Sequence, residues 1–427
     1  MLGRTTIILK VYSETLICRY ILTKGSLCRV DFHFLFCSKL IKSIFAIIME
    51  NNRKIIYLDN NATTPIDKRV LDAMMPYLIH NFANASSTHP FGVSVNEAIK
   101  NARIQMAELI GADANEIIFT SGSTEAINLA IKGVAEYYAE NGKHIVTVAT
   151  EHPAVIDTCK YLETKGYEVT YLPVRHDGLI NLDELKGVLR KDTILVTVMM
   201  ANNETGVLQP IKEIAELSHA VGAFFMTDAT QAVGKIRVDV DALGVDLLCM
   251  SGHKIYAPKG VGILYVRKRM NQVKLSAQLH GGGHENGLRS GTLNVPGIIG
   301  LGIACKIANI EMNEDAKRIV AFRDELETKL LKIKGSSING NVESRIYNVS
   351  NICFRGFDAN VMIGRMRNIA VSNGSACSSA TLEPSHVLSA MGLTSEDAFS
   401  SIRFSWGKFN KENEVKAVVK IFNELFV

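Results

Sequence analysis

The sequence predicts an α/β fold: a mostly parallel seven-stranded sheet with helices on both faces, joined to a smaller α+β domain. Three observations predict it. From about residue 55 to 295, short β-branched apolar runs alternate with amphipathic stretches. Most of those runs are apolar at every position, as a sheet covered on both faces requires. Near Pro296 the texture changes, and a long charged helical pattern over 313–334 is followed by shorter strands and a Ser/Gly-rich loop. The 427 residues leave room for about two or three domains and a large core.

In chain order, residues 1–48 stand apart. They mix aliphatics and Phe with scattered bases, and carry seven Lys/Arg against two acids. No apolar run there reaches the roughly 20 residues of a membrane span. The segment Met49-Glu50-Asn51-Asn52-Arg53-Lys54 is polar and leads into the strand-like Ile55-Ile56-Tyr57-Leu58. Met49 is therefore expected to be the functional start, with 1–48 a non-functional extension in preference to a targeting segment or a surface anchor. Strands are expected at 116–119, 144–148, 168–172, 193–198, 223–226, 246–250 and 262–266. Between them lie helical patterns such as Ile99, Ala102, Met106 and Leu109, on one face before Gly111. The expected organisation is a large domain over 66–310, and a small domain built from 49–65 and 311–427.

Charge and cysteine usage narrow the function. The net charge of +4 is concentrated in 1–48, which contributes +5 and leaves −1 on the rest. That body offers no electrostatic footprint for nucleic acid or an anionic membrane, so neither is an expected partner. Eight scattered cysteines without a C-x-x-C pair or zinc-ligand spacing fit a reducing compartment, read as cytoplasmic, and no intrinsic metal site.

Four places carry chemistry. An apolar strand ends at Ser251-Gly252-His253-Lys254, and another at Thr227-Asp228, which puts a lysine and a carboxylate at the carboxyl edge of the sheet, where open α/β sheets bind ligands. The pair reads as a plain ion pair or as a pyridoxal phosphate site, with the lysine holding the aldehyde as a Schiff base and the aspartate keeping the ring nitrogen protonated. Ser121-Gly122-Ser123-Thr124-Glu125, between a strand and a helix, is a candidate phosphate anchor or an ordinary helix cap. Cys377 lies in Ser372-Asn373-Gly374-Ser375-Ala376-Cys377-Ser378-Ser379-Ala380, too small and polar for core, which argues for an exposed, mobile thiol. Arg403 alternates with apolar residues as on a strand, so its charge needs a substrate carboxylate or a structural salt bridge.

Together these segments resemble the group I cysteine desulfurases, pyridoxal 5'-phosphate enzymes of fold type I related to class-V aminotransferases. The resemblance runs from about Ile56 to Phe409 and includes Tyr57-Leu58-Asp59-Asn60-Asn61-Ala62-Thr63-Thr64-Pro65, Thr150-Glu151-His152, Asn202-Asn203-Glu204-Thr205-Gly206, Asp228-Ala229-Thr230-Gln231, Ser251-Gly252-His253-Lys254, His280-Gly281-Gly282-Gly283-His284-Glu285, Arg289-Ser290-Gly291-Thr292 and the Cys377 loop. It implies that Lys254 bonds the cofactor, Asp228 pairs with its ring nitrogen and His152 stacks on the ring. Asn203 and Gln231 would flank the ring hydroxyl, and Asn203 would also line the substrate site. Ser123, Thr124, Ser251 and His253 would hold the phosphate, with Thr292 reaching the other subunit's cofactor in a homodimer. Arg403 would hold the substrate carboxylate. Cys377 would take sulfur from L-cysteine as a persulfide and pass it to an iron–sulfur scaffold or a tRNA-thiolation relay, serving as a transient iron–sulfur ligand in the first case. The alternatives are a selenocysteine lyase or an aminotransferase of the same fold, and a sulfur-relay scaffold. Ala85 stands where the family has proline in Asn84-Ala85-Ser86-Ser87-Thr88-His89, which questions the rigidity of that loop.

Overall fold

The structure, a computed structural model, describes residues 55–269, 272–373 and 383–425. Its strands are β1 (Ile56–Tyr57), β2 (Ile117–Thr120), β3 (His144–Val148), β4 (Glu168–Leu172), β5 (Thr193–Thr197), β6 (Phe224–Asp228), β7 (Leu247–Ser251), β8 (Gly262–Val266), β9 (Ser336–Ile338), β10 (Val349–Phe354), β11 (Ile369–Ala370) and β12 (Ser401–Ser405). Its helices are α1 (Lys68–Ile79), α2 (Pro90–Ile110), α3 (Ser123–Tyr137), α4 (Pro153–Glu163), α5 (Leu182–Val188), α6 (Ile211–Ala220), α7 (Val295–Leu330), α8 (Ala359–Arg365), α9 (His386–Ala390), α10 (Ser395–Phe399) and α11 (Glu412–Leu425).

The central sheet has seven strands in the order β2-β8-β7-β6-β5-β3-β4. Pairing is parallel from β4 through β7, and β8 runs antiparallel between β7 and β2. Strands β2, β3, β5, β7 and β8 are buried at every residue, and two apolar clusters cover the two faces. The helices begin where sequence chemistry says they should. His89 caps α2 through Nδ1, Pro90 sits at its first position, and Gly111 ends it at φ 69°. Its predicted face, Ile99, Ala102, Met106 and Leu109, is buried. The loop that lacks proline is held otherwise: Asn84 Oδ1 accepts from Ser86 N at 2.9 Å, and Asn84 O from Ser87 N at 3.0 Å.

The charged helix expected at 313–334 is one part of α7, which is 36 residues long and starts at Val295. Periodicity found its solvated half and missed the first, because Val295–Cys305 is apolar nearly all round and packs into the large core against α1 and α2. Helix α7 as a whole is long and apolar enough to cross a membrane by length and composition alone, yet half of its most apolar 18-residue window is buried inside the protein. The second half, with Ile319, Phe322, Leu326 and Leu330, joins a separate cluster with Leu58, Phe354, Phe404, Trp406 and Phe422. Each such fully buried side chain contributes about 2 kcal/mol. The expected boundary at 310/311 thus falls inside a single helix that serves both cores. A three-stranded antiparallel sheet, β12-β10-β9, and the parallel pair β1-β11 lie over the second cluster. Asp59 and Ser372 bridge to β12, so the N-terminal segment and the start of the Cys377 loop share one strand.

Candidate active site

The carboxyl ends of β2, β3, β5, β6 and β7 converge on one edge of the central sheet. Beyond β7, a single 3₁₀ turn over Gly252–Lys254 brings Lys254 back over that edge. Its Nζ donates to Asn61 O at 2.5 Å and Ala62 O at 2.8 Å. Both carbonyls belong to the segment after β1, so the lysine is held by residues almost 200 positions away. Asp228, the last residue of β6, is buried, and its Oδ1 accepts from Thr230 N at 2.9 Å. The charges of Asp228 and Lys254 both act on His152, which places the three groups in one electrostatic neighbourhood.

His152 caps α4, with Nδ1 accepting from Ala154 N at 3.1 Å. Burial, followed by the Lys254 charge, holds its pKa below the ordinary imidazole value against the pull of Asp228. A neutral ring with Nδ1 occupied as acceptor carries its proton on Nε2. The preceding Glu151 is fully enclosed; burial and the Asp228 charge push its pKa well up, against the Met199 N–H it accepts.

The phosphate end is recognisable from what α3 lacks. Gly122 precedes the helix and gives it no side-chain cap, as Pro210 gives none to α6, whereas Asp67, His89, His152, Asn181 and Asn294 cap theirs. The first N–H groups of α3, flanked by the Ser123 and Thr124 hydroxyls, are left for an anion, with the helix dipole in its favour. A Cβ on Gly262 would lie 2.7 Å from Gly122 Cα and 2.6 Å from Met250 O, so glycine there lets the loop settle onto the sheet. Ser251 closes the same corner: the Cβ that Gly122 lacks would lie 3.5 Å from Ser251 Oγ. His253 Nδ1 pairs with Thr63 Oγ1 at 3.1 Å; burial and the Lys254, Lys259 and Lys235 charges lower its pKa to about 4, so it meets an anion as a neutral donor.

The remaining predicted residues divide. Gln231 is at the site, its Nε2 donating to Asn61 O at 2.9 Å. Asn203 contributes its backbone oxygen, which accepts from Asn61 Nδ2 at 3.1 Å and Arg403 at 3.0 Å. Arg403 is buried and already has a carboxylate partner, Asp59 Oδ1 at 2.6 Å, yet its Nε has no hydrogen-bond partner among the described residues. Thr292 is exposed on the segment before α7. Cys377 lies outside the described residues. The segment after it is anchored at the site, with Ser385 Oγ donating to Glu204 at 2.6 Å and His386 Nε2 meeting Glu151 O at 2.9 Å.

Sequence reasoning missed Asn61 as a functional residue. Its carbonyl, amide and side-chain oxygen are all engaged, the last by Asn348 Nδ2 at 3.0 Å. The signal was the Asn60-Asn61 pair straight after a strand, which local reading takes as a turn. It missed Lys235 as well, since a lysine seven residues past a strand end looks solvated.

An uncapped helix start, a glycine cradle, a buried aspartate and a half-buried lysine fit pyridoxal phosphate at both ends. The class thus defined is a pyridoxal phosphate enzyme on an aminotransferase-type sheet. The sequence model described as "Aminotransferase class-V" matches residues 56–418. The chain belongs to that family, among its cysteine desulfurases. Proteins named cysteine desulfurase IscS from Pectobacterium carotovorum and Aeromonas hydrophila are 50% and 52% identical to it, each over 86% of this chain and 91% and 92% of their own. Among solved structures, a NifS-like protein superposes with a TM-score of 0.82 at 37% identity, covering 87% of this chain and 99% of its own. Another, SspA in complex with cysteine, gives 0.74 at 36% identity over 83% and 100%.

Proposed function

We propose that this chain is a cysteine desulfurase that takes sulfur from L-cysteine, releases L-alanine and keeps the sulfur as a persulfide on Cys377. The observation that carries the reading is the meeting of Lys254, Asp228 and His152 beside an uncapped phosphate helix, in a body whose other thiols are disabled. Cys159, Cys249, Cys305 and Cys353 are all buried, and burial first of all pushes each thiol pKa up, that of Cys159 to about 12. Cys377, in its run of small polar residues, is the remaining cysteine of the body.

Bound pyridoxal phosphate would act as the electron sink for charge developing at the substrate Cα. Lys254 would hold it, and its Nζ, when free, would take the substrate Cα proton. Asp228, fixed by Thr230 N–H, would keep the ring nitrogen protonated. Asn203 and Gln231 would lie beside the ring hydroxyl, and Ser123, Thr124, Ser251 and His253 would hold the phosphate. Arg403, whose Nε has no hydrogen-bond partner among the described residues, would hold the substrate carboxylate. The Cys377 thiolate attacks the substrate sulfur, an S–S bond forms, the C–S bond breaks, and its electron pair stays on carbon and is protonated to alanine. In the tautomer its helix cap imposes, His152 has no spare lone pair. The substrate amine is therefore the better acceptor for the thiol proton.

The active unit is read as a homodimer. Leu71, Met75, Leu78, Ile79 and Phe82 leave apolar surface exposed on α1 and just after it, and exposed Thr292 is suited to reach a second copy's cofactor. The sulfur acceptor is read as an iron–sulfur scaffold or a tRNA-thiolation relay, and the compartment as the cytoplasm. The decisive experiment records the visible spectrum of the purified protein, then assays alanine and sulfide from L-cysteine with a reductant. Equimolar alanine and reducible sulfur support the reading; keto-acid-dependent amino transfer without sulfur release overturns it.

A further inference from the structure

Lys235 has no place in the mechanism above, yet it is one of the most enclosed charged side chains in the protein, with 8% of its surface exposed. It stands four residues after Gln231 in the turn that leaves β6, and its Nζ donates to Gln231 Oε1 at 2.7 Å. An ammonium has donors and no acceptor, so this bond settles which way round the Gln231 amide lies. The NH₂ group is turned the other way and donates to Asn61 O at 2.9 Å. That same carbonyl, with Ala62 O, receives Lys254 Nζ. A chain of four residues therefore links two lysines, and the two also line one buried cavity with Asp315, Tyr256, Tyr347, Asn348 and Lys408. Among the described residues Lys235 has no carboxylate within ion-pair distance.

We propose that Lys235 is a positioning residue for Lys254: acting through Gln231 and Asn61 it holds Nζ at its carbonyl pair, and as a second cation in the shared cavity it biases Nζ towards the neutral amine. This rests on the reading of Lys254 as the residue that bonds pyridoxal phosphate. Burial without a counter-charge is otherwise a pure cost, since a desolvated ammonium is destabilising unless paired. A residue that served packing alone would do better as methionine. The electrostatics agree in direction: burial first, then the Lys254 and Arg403 charges, lowers Lys235 to about 7, so a proton on either lysine opposes one on the other. The acids around this group of cations are otherwise engaged or apart from Lys235: Asp315 lines the cavity, Asp67 pairs with Lys408, Asp59 pairs with Arg403 and Asp228 acts on His152 together with Lys254.

The test is the pH profile of cofactor uptake. Apoprotein is mixed with pyridoxal phosphate over a range of pH, the rise of the visible band is timed, and the loaded protein's band is titrated without substrate. Lys235→Met should move both midpoints up by about one pH unit and slow uptake at neutral pH about tenfold, because the Lys254 proton loses its opposing neighbour. The same variant should unfold at an equal or higher temperature, whereas Lys235→Arg should keep the wild-type midpoints. If Lys235→Met does not fold, Gln231→Met cuts the same chain one step nearer Lys254 and should shift the midpoints in the same direction. Wild-type midpoints in whichever of these variants folds would overturn the inference. Wild-type protein that takes up no pyridoxal phosphate would instead overturn the proposed function.

Discussion

Lys254 Nζ is held by the carbonyls of Asn61 and Ala62, which fix where the amine sits at the sheet edge. Lys254→Ala should abolish the visible band and turnover while leaving the melting temperature within a few degrees, and normal cysteine turnover in that variant would sink the assignment. The sulfur-capturing half is separable. Cys377→Ser should still bind pyridoxal phosphate and L-cysteine but form no persulfide, with alanine release down by roughly 10³-fold or more, since a hydroxyl is a far weaker nucleophile at neutral pH. Mass spectrometry that finds the persulfide on Cys159, Cys249, Cys305 or Cys353 would contradict it. A third expectation concerns pH. Burial depresses the folded-state pKa of His152, His144 and His253, the last to about 4. Unfolded histidines titrate near about 6.5, so on acidification the unfolded chain binds protons first. Stability contributed by these groups is complete above about pH 6.5 and is lost as pH falls towards about 4. Urea midpoints of the apoprotein against pH should show this decline, and His253→Asn should flatten it.

At the scale of the element, the phosphate corner depends on the approach of β8 to the turn before α3. Gly262→Ala places a methyl into Gly122 and Met250 O, where backbone has to move. It should cost about 1–3 kcal/mol and weaken pyridoxal phosphate binding about tenfold or more, by lifting the α3 N-terminus off the sheet. Gly187, in α5, is the control, because a Cβ there meets nothing within 4 Å. Gly187→Ala should be neutral or stabilising by about 1 kcal/mol, without effect on the cofactor. Equal cofactor affinity in both alanine variants would show that the glycine approach does not shape the anion site. The strands and α2 were readable in advance because their buried faces repeat with the right period; the first half of α7 was not, because a helix enclosed on most sides has no polar stripe to count.

For the whole molecule, the break in charge and composition at Met49 yields a further expectation: deleting residues 1–48 leaves cofactor binding and activity unchanged. Size-exclusion chromatography and the visible spectrum of the truncated protein check it, and loss of soluble loaded protein would refute it. Local pattern by itself determined the α/β class, the strand ends that carry Asp228 and Lys254, the helix start at Ser123 and the small, polar setting of Cys377, since each follows from neighbours a few residues away. The tertiary structure decided who meets whom. Asn61 holds Lys254, Asp59 pairs with Arg403 and Ser385 reaches Glu204 across separations of 193, 344 and 181 residues, which no local pattern encodes. Lys235 shows the physical reason most plainly. Its spacing and flanks are those of a surface lysine, and its role appears once the sheet edge and the second core close over it and exclude water.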